Sequence, residues 1–233
     1  MCGRYRLTSK ERYIRDHFNL DDDPSWAPHW NIAPTQQVAV VIHDSQQSKR
    51  NFGLMSWGLI PYWAKEPSIA FKTVNAKCES AADKPAFRDA FKWRRCLVPA
   101  DGFYEWMNMG SGQKQPYNFG MKNDSLFSMA GLWERWKKPS GDIIQTCTIL
   151  TTTANSLVAE VHDRMPVILA SENYDIWLAP DVTDLIRISD YLKPFDPNLM
   201  KKYPVSSRVN RAENDDSECA REVPPMMITP TLF

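Results

Sequence analysis

Apolar positions along this chain recur mostly with a period of two. Val38 to Ile42 is a β-branched run and Phe52 to Ile60 a second apolar stretch, and both predict strands. From Cys96 the signal repeats over Leu97–Ala100, Phe103–Met107, Pro116–Met121 and Leu126–Trp133. A long Thr/Ile-rich run from Ile143 to Thr152 and a short one from Met165 to Leu169 complete the set. Gly110-Ser111-Gly112 and Asn123-Asp124 supply turns between them. Helical periodicity is confined to short pieces. Thr8-Ser9-Lys10-Glu11 reads as a capping box ahead of Tyr13, Ile14 and Phe18, which predicts a helix over roughly residues 9–18. Asp21-Asp22-Asp23-Pro24 ends it, and an irregular Trp/Pro loop runs on to Asn31-Ile32-Ala33-Pro34. Pro61-Tyr62-Trp63 reads as an aromatic loop and Pro85–Phe91 as a short helix with Pro at its start. Ser171–Leu178 and Val182–Tyr191 have helix character. Pro204-Val205-Ser206 begins a last extended segment, and the tail after about residue 215 reads as weakly ordered. The pattern predicts one α+β domain over residues 1–233, built on a curved, mostly antiparallel sheet or barrel with short peripheral helices.

Composition narrows the classes. Across 233 residues, 43% are apolar and 24% charged, an ordinary globular balance. Lys plus Arg equals Asp plus Glu at 28 each, so no global field attracts a polyanion and any nucleic-acid surface must be local. The five cysteines are odd in number and widely spaced, with no Cys-x-x-Cys, which predicts reduced thiols and neither a disulfide framework nor a metal centre. No apolar run follows the early basic residues and none is long enough to cross a bilayer, so the expectation is a soluble, cytoplasmic protein without a signal peptide or membrane partner. Nothing demands more than a monomer.

Chemistry concentrates at a few places. Cys2 is small enough for the initiator Met1 to be removed, which would leave a free α-amine beside a thiol. With reference pKa values of about 8 and about 8.5, both nucleophilic forms are accessible near neutrality, and such a pair condenses with aldehydes to a thiazolidine. Asn75 and Lys77 lie in a polar segment without periodicity, offering an amide and a cation to a ligand or to the backbone. In Asp101-Gly102-Phe103-Tyr104-Glu105-Trp106, strand alternation puts Glu105 on the face of Phe103 and Met107, with Tyr104 and Trp106 opposite. A carboxylate among aromatics is either desolvated, hence raised in pKa, or an edge group facing water. His162-Asp163-Arg164 admits a proton shuttle or a structural ion-pair network. Lys92-Trp93-Arg94-Arg95, with Arg4, Trp63, Lys72, Lys77 and Arg164, could line a groove in which cations track phosphates and aromatics stack on bases.

These blocks occur in an order that resembles the SRAP (SOS response-associated peptidase) family across nearly the whole chain. The resemblance is carried by Met1-Cys2-Gly3-Arg4, Asn31-Ile32-Ala33-Pro34, Trp57-Gly58 with Pro61 and Trp63, and Val74-Asn75-Ala76. It continues in Asp101 to Trp106, His162 to Pro166 and Pro204-Val205-Ser206. It implies a sensor of abasic sites in single-stranded DNA whose processed Cys2 forms a thiazolidine crosslink with the ring-opened sugar. By the same resemblance Asn75 orients the N-terminus and the sugar, Glu105 acts as acid and base, and His162 moves protons at the sugar and assists reversal. Arg4, Lys77 and Arg164 hold phosphates, with Trp63 and Trp106 shaping the groove. It also implies autoproteolytic release of the N-terminus, a possible lyase activity, and no cofactor. The family usually has Arg where this chain has Lys77, which keeps the charge but loses the bidentate fork. Two other readings stand beside this one: a thiol peptidase using Cys2, His162 and Glu105, and a non-catalytic single-strand binding module.

Overall fold

A computed structural model of the protein describes residues 2–44, 49–110, 112–182 and 188–226. Strand β1 (Tyr5–Leu7) leads into helix α1 (Glu11–Phe18), followed by β2 (His29–Ile32), β3 (Gln37–Asp44) and β4 (Lys49–Trp57). Next come β5 (Asn75–Lys77), α2 (Cys78–Ala81), α3 (Arg88–Trp93), β6 (Arg95–Ala100), β7 (Gly102–Gly110), β8 (Gln113–Met121), β9 (Phe127–Lys137) and β10 (Ile143–Thr153). The chain continues through α4 (Ser156–Ala159), β11 (Arg164–Pro166), β12 (Ile168–Leu169), α5 (Tyr174–Leu178) and β13 (Met200–Pro204).

The longer strands form a closed barrel. β6 pairs with both β3 and β9, β3 with β4, and β4 with β10. β9 and β10 then pair over Ile143–Ile149, which closes the ring. Every rung is antiparallel except β4 to β10, so the mostly antiparallel barrel expected from the pattern is found. Its interior is tight: a Cβ on Gly131 would meet Cys96 Sγ at 2.8 Å and Thr148 O at 3.1 Å, so only glycine fits there. A second, wholly antiparallel sheet runs β13-β8-β7-β1-β2. Phe103 on one of its faces joins the main core, and Tyr104 on the other packs with Val205, Val209, Cys219 and Trp106. Both faces of β7 are therefore covered, which is why its first half is buried throughout.

Several local expectations are corrected. Helix α1 starts at Glu11, with Lys10 at its N-cap and no side-chain cap. The hydroxyls of Thr8 and Ser9 donate to the Asp101 carboxylate instead, at 2.9 and 2.6 Å. The irregular loop expected up to Asn31 runs as far as Pro28, and strand β2 takes over from His29. The run Met165–Leu169 splits into β11 on β10 and β12 on β9. The last strand ends at Pro204 and does not begin there. Beyond Asp215 most residues are exposed, with two anchors: Cys219 is buried and the Met226 amide donates to Gln115 Oε1 at 2.9 Å. Much of the helix expected over Val182–Tyr191 lies outside the described residues.

Candidate functional site

The site is built where the chain's start meets the ends of β7 and β10. β1 pairs with β7 through Tyr5 opposite Phe103, and the Tyr104 amide donates to Arg4 O at 2.9 Å, continuing the ladder towards Cys2. Glu105 lies two residues beyond Phe103 on the same face, close enough for its charge to act on the Cys2 thiol. β10 carries the rest. β5 runs parallel to it with Asn75 opposite Ile149 and Lys77 opposite Thr151, and β11 pairs on it with Arg164 opposite Thr153. The fully buried Trp57 links these parts, its indole N–H donating to Val74 O at 2.8 Å while its ring packs edge-on against Tyr5 at 5.4 Å.

Asn75 Nδ2 donates to Cys2 O at 2.7 Å, so an amide on β5 holds the second residue of the chain in place. Its Oδ1 is buried and finds no hydrogen-bond partner among the described residues, leaving one acceptor for a ligand. Cys2 is fully buried, and burial followed by the Glu105 charge raises its thiol far above the usual range, so the sulfur is a neutral thiol. Glu105 is buried as well, and the loss of water pushes its carboxyl up to about 7. The desolvated alternative posed by the sequence is the one the structure adopts.

His162 is held by the end of α4, its backbone N–H donating to Val158 O at 2.9 Å. Burial lowers its pKa, favouring the neutral ring at neutral pH. Arg164 closes a bidentate ion pair on Glu79 at 2.6 and 2.8 Å and also donates to Thr151 O at 2.7 Å. Lys77 is exposed beside it. Arg4 is half-buried: its Nη1 donates to Asn31 Oδ1 at 2.8 Å and to Val209 O at 2.6 Å, with the guanidinium 6.0 Å from the Trp106 ring. Trp106 is fixed in turn, its indole N–H donating to Asn210 Oδ1 at 2.7 Å.

Trp63 stands 48% exposed at a surface hollow of about 540 Å³ lined with Lys65, Ser68, Ile69 and Lys72. Phe71, not singled out from the sequence, is 73% exposed in the same turn-rich segment. A large aromatic just before a polar motif and outside any apolar period was the only signal for it. The basic run Lys92-Trp93-Arg94-Arg95 does not form an exposed cationic patch. Arg95 is buried and donates to the carbonyls of Trp177, Phe91 and Lys92, while Arg94 pairs with Glu134 at 2.6 Å. Only Lys92 and Trp93 remain at the surface.

The family model described as SOS response associated peptidase (SRAP) matches residues 1–212. The chain belongs to the SRAP family. This SRAP chain is 42% identical over 221 residues to the Bacillus subtilis (strain 168) protein named abasic site processing protein YoqW, a match covering 94% of this chain and 98% of that one. It is 31% identical over 263 residues to the Xenopus tropicalis protein named abasic site processing protein HMCES, covering 94% and 77%. Among solved structures, a protein from Bacteroides thetaiotaomicron has the same SRAP fold, with a TM-score of 0.84 at 27% identity over 95% of this chain and 100% of that one. Among the described residues, no helix is long and apolar enough to cross a membrane.

Proposed function

We propose that this protein processes abasic sites in single-stranded DNA by capturing them covalently on Cys2 once Met1 has been removed. The observation that carries the reading is that Asn75 holds the Cys2 carbonyl at 2.7 Å with the buried Glu105 carboxyl close enough to act on the Cys2 thiol. The relatives named for abasic site processing support the same substrate.

The chemistry follows from what each group can do. The ring-opened sugar presents an aldehyde at C1′. The neutral Cys2 amine adds to that carbon, and its proton passes to the oxygen. Glu105 in its acid form then protonates the hydroxyl, which leaves as water and gives the iminium. The Cys2 sulfur adds to the same carbon while its proton goes to the Glu105 carboxylate, closing the thiazolidine and restoring the acid. One water leaves in total. A group with a pKa of about 7 serves both halves of this cycle, because neither form is scarce at neutral pH. The free Oδ1 of Asn75 accepts from a sugar hydroxyl, and His162 moves the proton in ring opening. Lys77, Arg164 and Arg4 face phosphates, and Trp63 and Trp106 bound the strand. Arg164 can do so only by sharing or releasing Glu79. Trimming of the chain's own N-terminus and a lyase activity through the same iminium belong to this reading as side branches.

The test is a denaturing gel of Met-processed protein mixed with single-stranded DNA carrying one abasic site, beside Cys2→Ser and undamaged DNA. A band that survives denaturation, needs the lesion and is lost in the variant is expected. Salt-sensitive binding with no covalent band in either protein would leave only a passive binder.

A further inference from the structure

At His162 two partners compete for one ring nitrogen. Nδ1 lies 3.0 Å from the Arg164 amide nitrogen and 2.9 Å from Asp163 Oδ1. The two contacts need opposite states of that atom. The Arg164 N–H requires the Nδ1 lone pair, hence a neutral ring with its hydrogen on Nε2. The Asp163 carboxylate requires a hydrogen on Nδ1. The backbone around them is fixed: the amides of Val161 and His162 both donate to Val158 O, at 2.8 and 2.9 Å, and Asp163 O accepts from Ala154 N at 3.0 Å. The exchange therefore falls to the side chains of His162 and Asp163.

We propose that Asp163 is a positioning residue of this site: its carboxylate takes the His162 Nδ1–H when the ring gains a proton, and the Arg164 amide takes Nδ1 when the proton leaves. Proton uptake in the free protein then occurs at Nδ1, and the charged ring can give its Nε2 hydrogen to the sugar while the Nδ1–H stays on Asp163. The surroundings set the range. Burial of the imidazole, the positive charge of the chain's amino terminus and Lys114 on β8 lower its basicity, and Asp163 raises it. Asp163 also acts on Glu105, raising it further after burial has done so. One exposed carboxylate thus tunes both proton carriers. The use of the proton rests on the proposed function, whereas the Nδ1 exchange does not.

The test uses ¹⁵N-histidine-labelled protein followed by NMR through a pH titration, with the His162 signals assigned from a His162→Gln sample. In the wild type the neutral ring should report the Nε2–H tautomer. In Asp163→Asn the midpoint should fall by a few tenths to about one pH unit, the size of effect an exposed carboxylate in direct contact produces, and Asp163→Glu should restore most of it. An unchanged midpoint in Asp163→Asn would overturn the assignment, whatever the DNA does. In parallel, the low-pH limb of the crosslinking rate should move with the NMR midpoint, and a limb that stays put while the midpoint moves would contradict the link to the reaction. Absence of crosslinking in the wild type would remove the proposed function and leave the exchange at Nδ1 to be decided by the titration alone.

Discussion

The proposed reaction leans most on Glu105 and Asn75, and both make measurable demands on stability. Glu105 is ordinary when unfolded and pushed up to about 7 when folded. Between about pH 4.5 and 7 the folded protein keeps a proton that the unfolded chain releases, so stability falls as pH rises through that window and is flat above it. Glu105→Gln lacks this slope. Relative to wild type it should gain on the order of 2–3 kcal/mol between pH 5 and pH 8, read from urea melts at each pH, while its crosslinking slows. Identical pH slopes in the two proteins would mean that Glu105 is not desolvated. Asn75→Ala removes the bond to Cys2 O. The expected cost to stability is about 1 kcal/mol, against a fall in crosslinking rate of roughly ten-fold or more, since a loosened N-terminus loses its orientation. A rate that tracks stability alone would deny Asn75 a positioning role.

At the scale of elements, the junction between β1 and α1 depends on a distant carboxylate. Asp101 accepts from the amide and hydroxyl of both Thr8 and Ser9. Asp101→Ala strands those donors near the start of the chain and should cost roughly 2–4 kcal/mol, measured by urea denaturation, whereas an intact helix with less than about 0.5 kcal/mol lost would show that local capping suffices. This junction also shows where sequence reasoning failed. Thr8-Ser9-Lys10-Glu11 has the local form of a capping box, but Asp101 offers both hydroxyls a better acceptor from far along the chain. β1 and β2 were invisible because three- and four-residue strands give too few positions to show a period. The barrel strands β3, β4, β6, β9 and β10, with β7 and β8 of the second sheet, were legible because their apolar runs are bounded by Gly, Pro and Asn. Strand alternation also placed Phe103 and Tyr104 on opposite faces. It could not show that both faces would be covered, which is what desolvates Glu105. Cys2, Asn75 and Glu105 could be named together only through the order of their motifs. Arg95 misled because its charge is satisfied by backbone carbonyls inside the fold, an arrangement no local pattern reports.

At the scale of the molecule, equal numbers of acidic and basic residues mean that attraction to DNA is local. With about three phosphates contacted, log affinity for single-stranded DNA should fall with log salt at a slope of roughly −2. Lys77→Ala should flatten that slope by about 0.7, measured by fluorescence anisotropy in a Cys2→Ser background so that no covalent product accumulates. A much steeper slope would require more phosphate contacts than Arg4, Lys77 and Arg164 supply. Closing the barrel on β10 and laying β1 across β7 bring residues near positions 2, 75, 105 and 162 to one place. The most direct measurement is the intact mass of the purified DNA conjugate, followed by peptide mapping. The expected mass is that of the Met-free protein plus the abasic oligonucleotide less one water, with the adduct on the peptide beginning at Cys2 and no free thiol at that residue. A conjugate carried by a lysine, or one that retains a free Cys2 thiol, would contradict ring closure at the N-terminus.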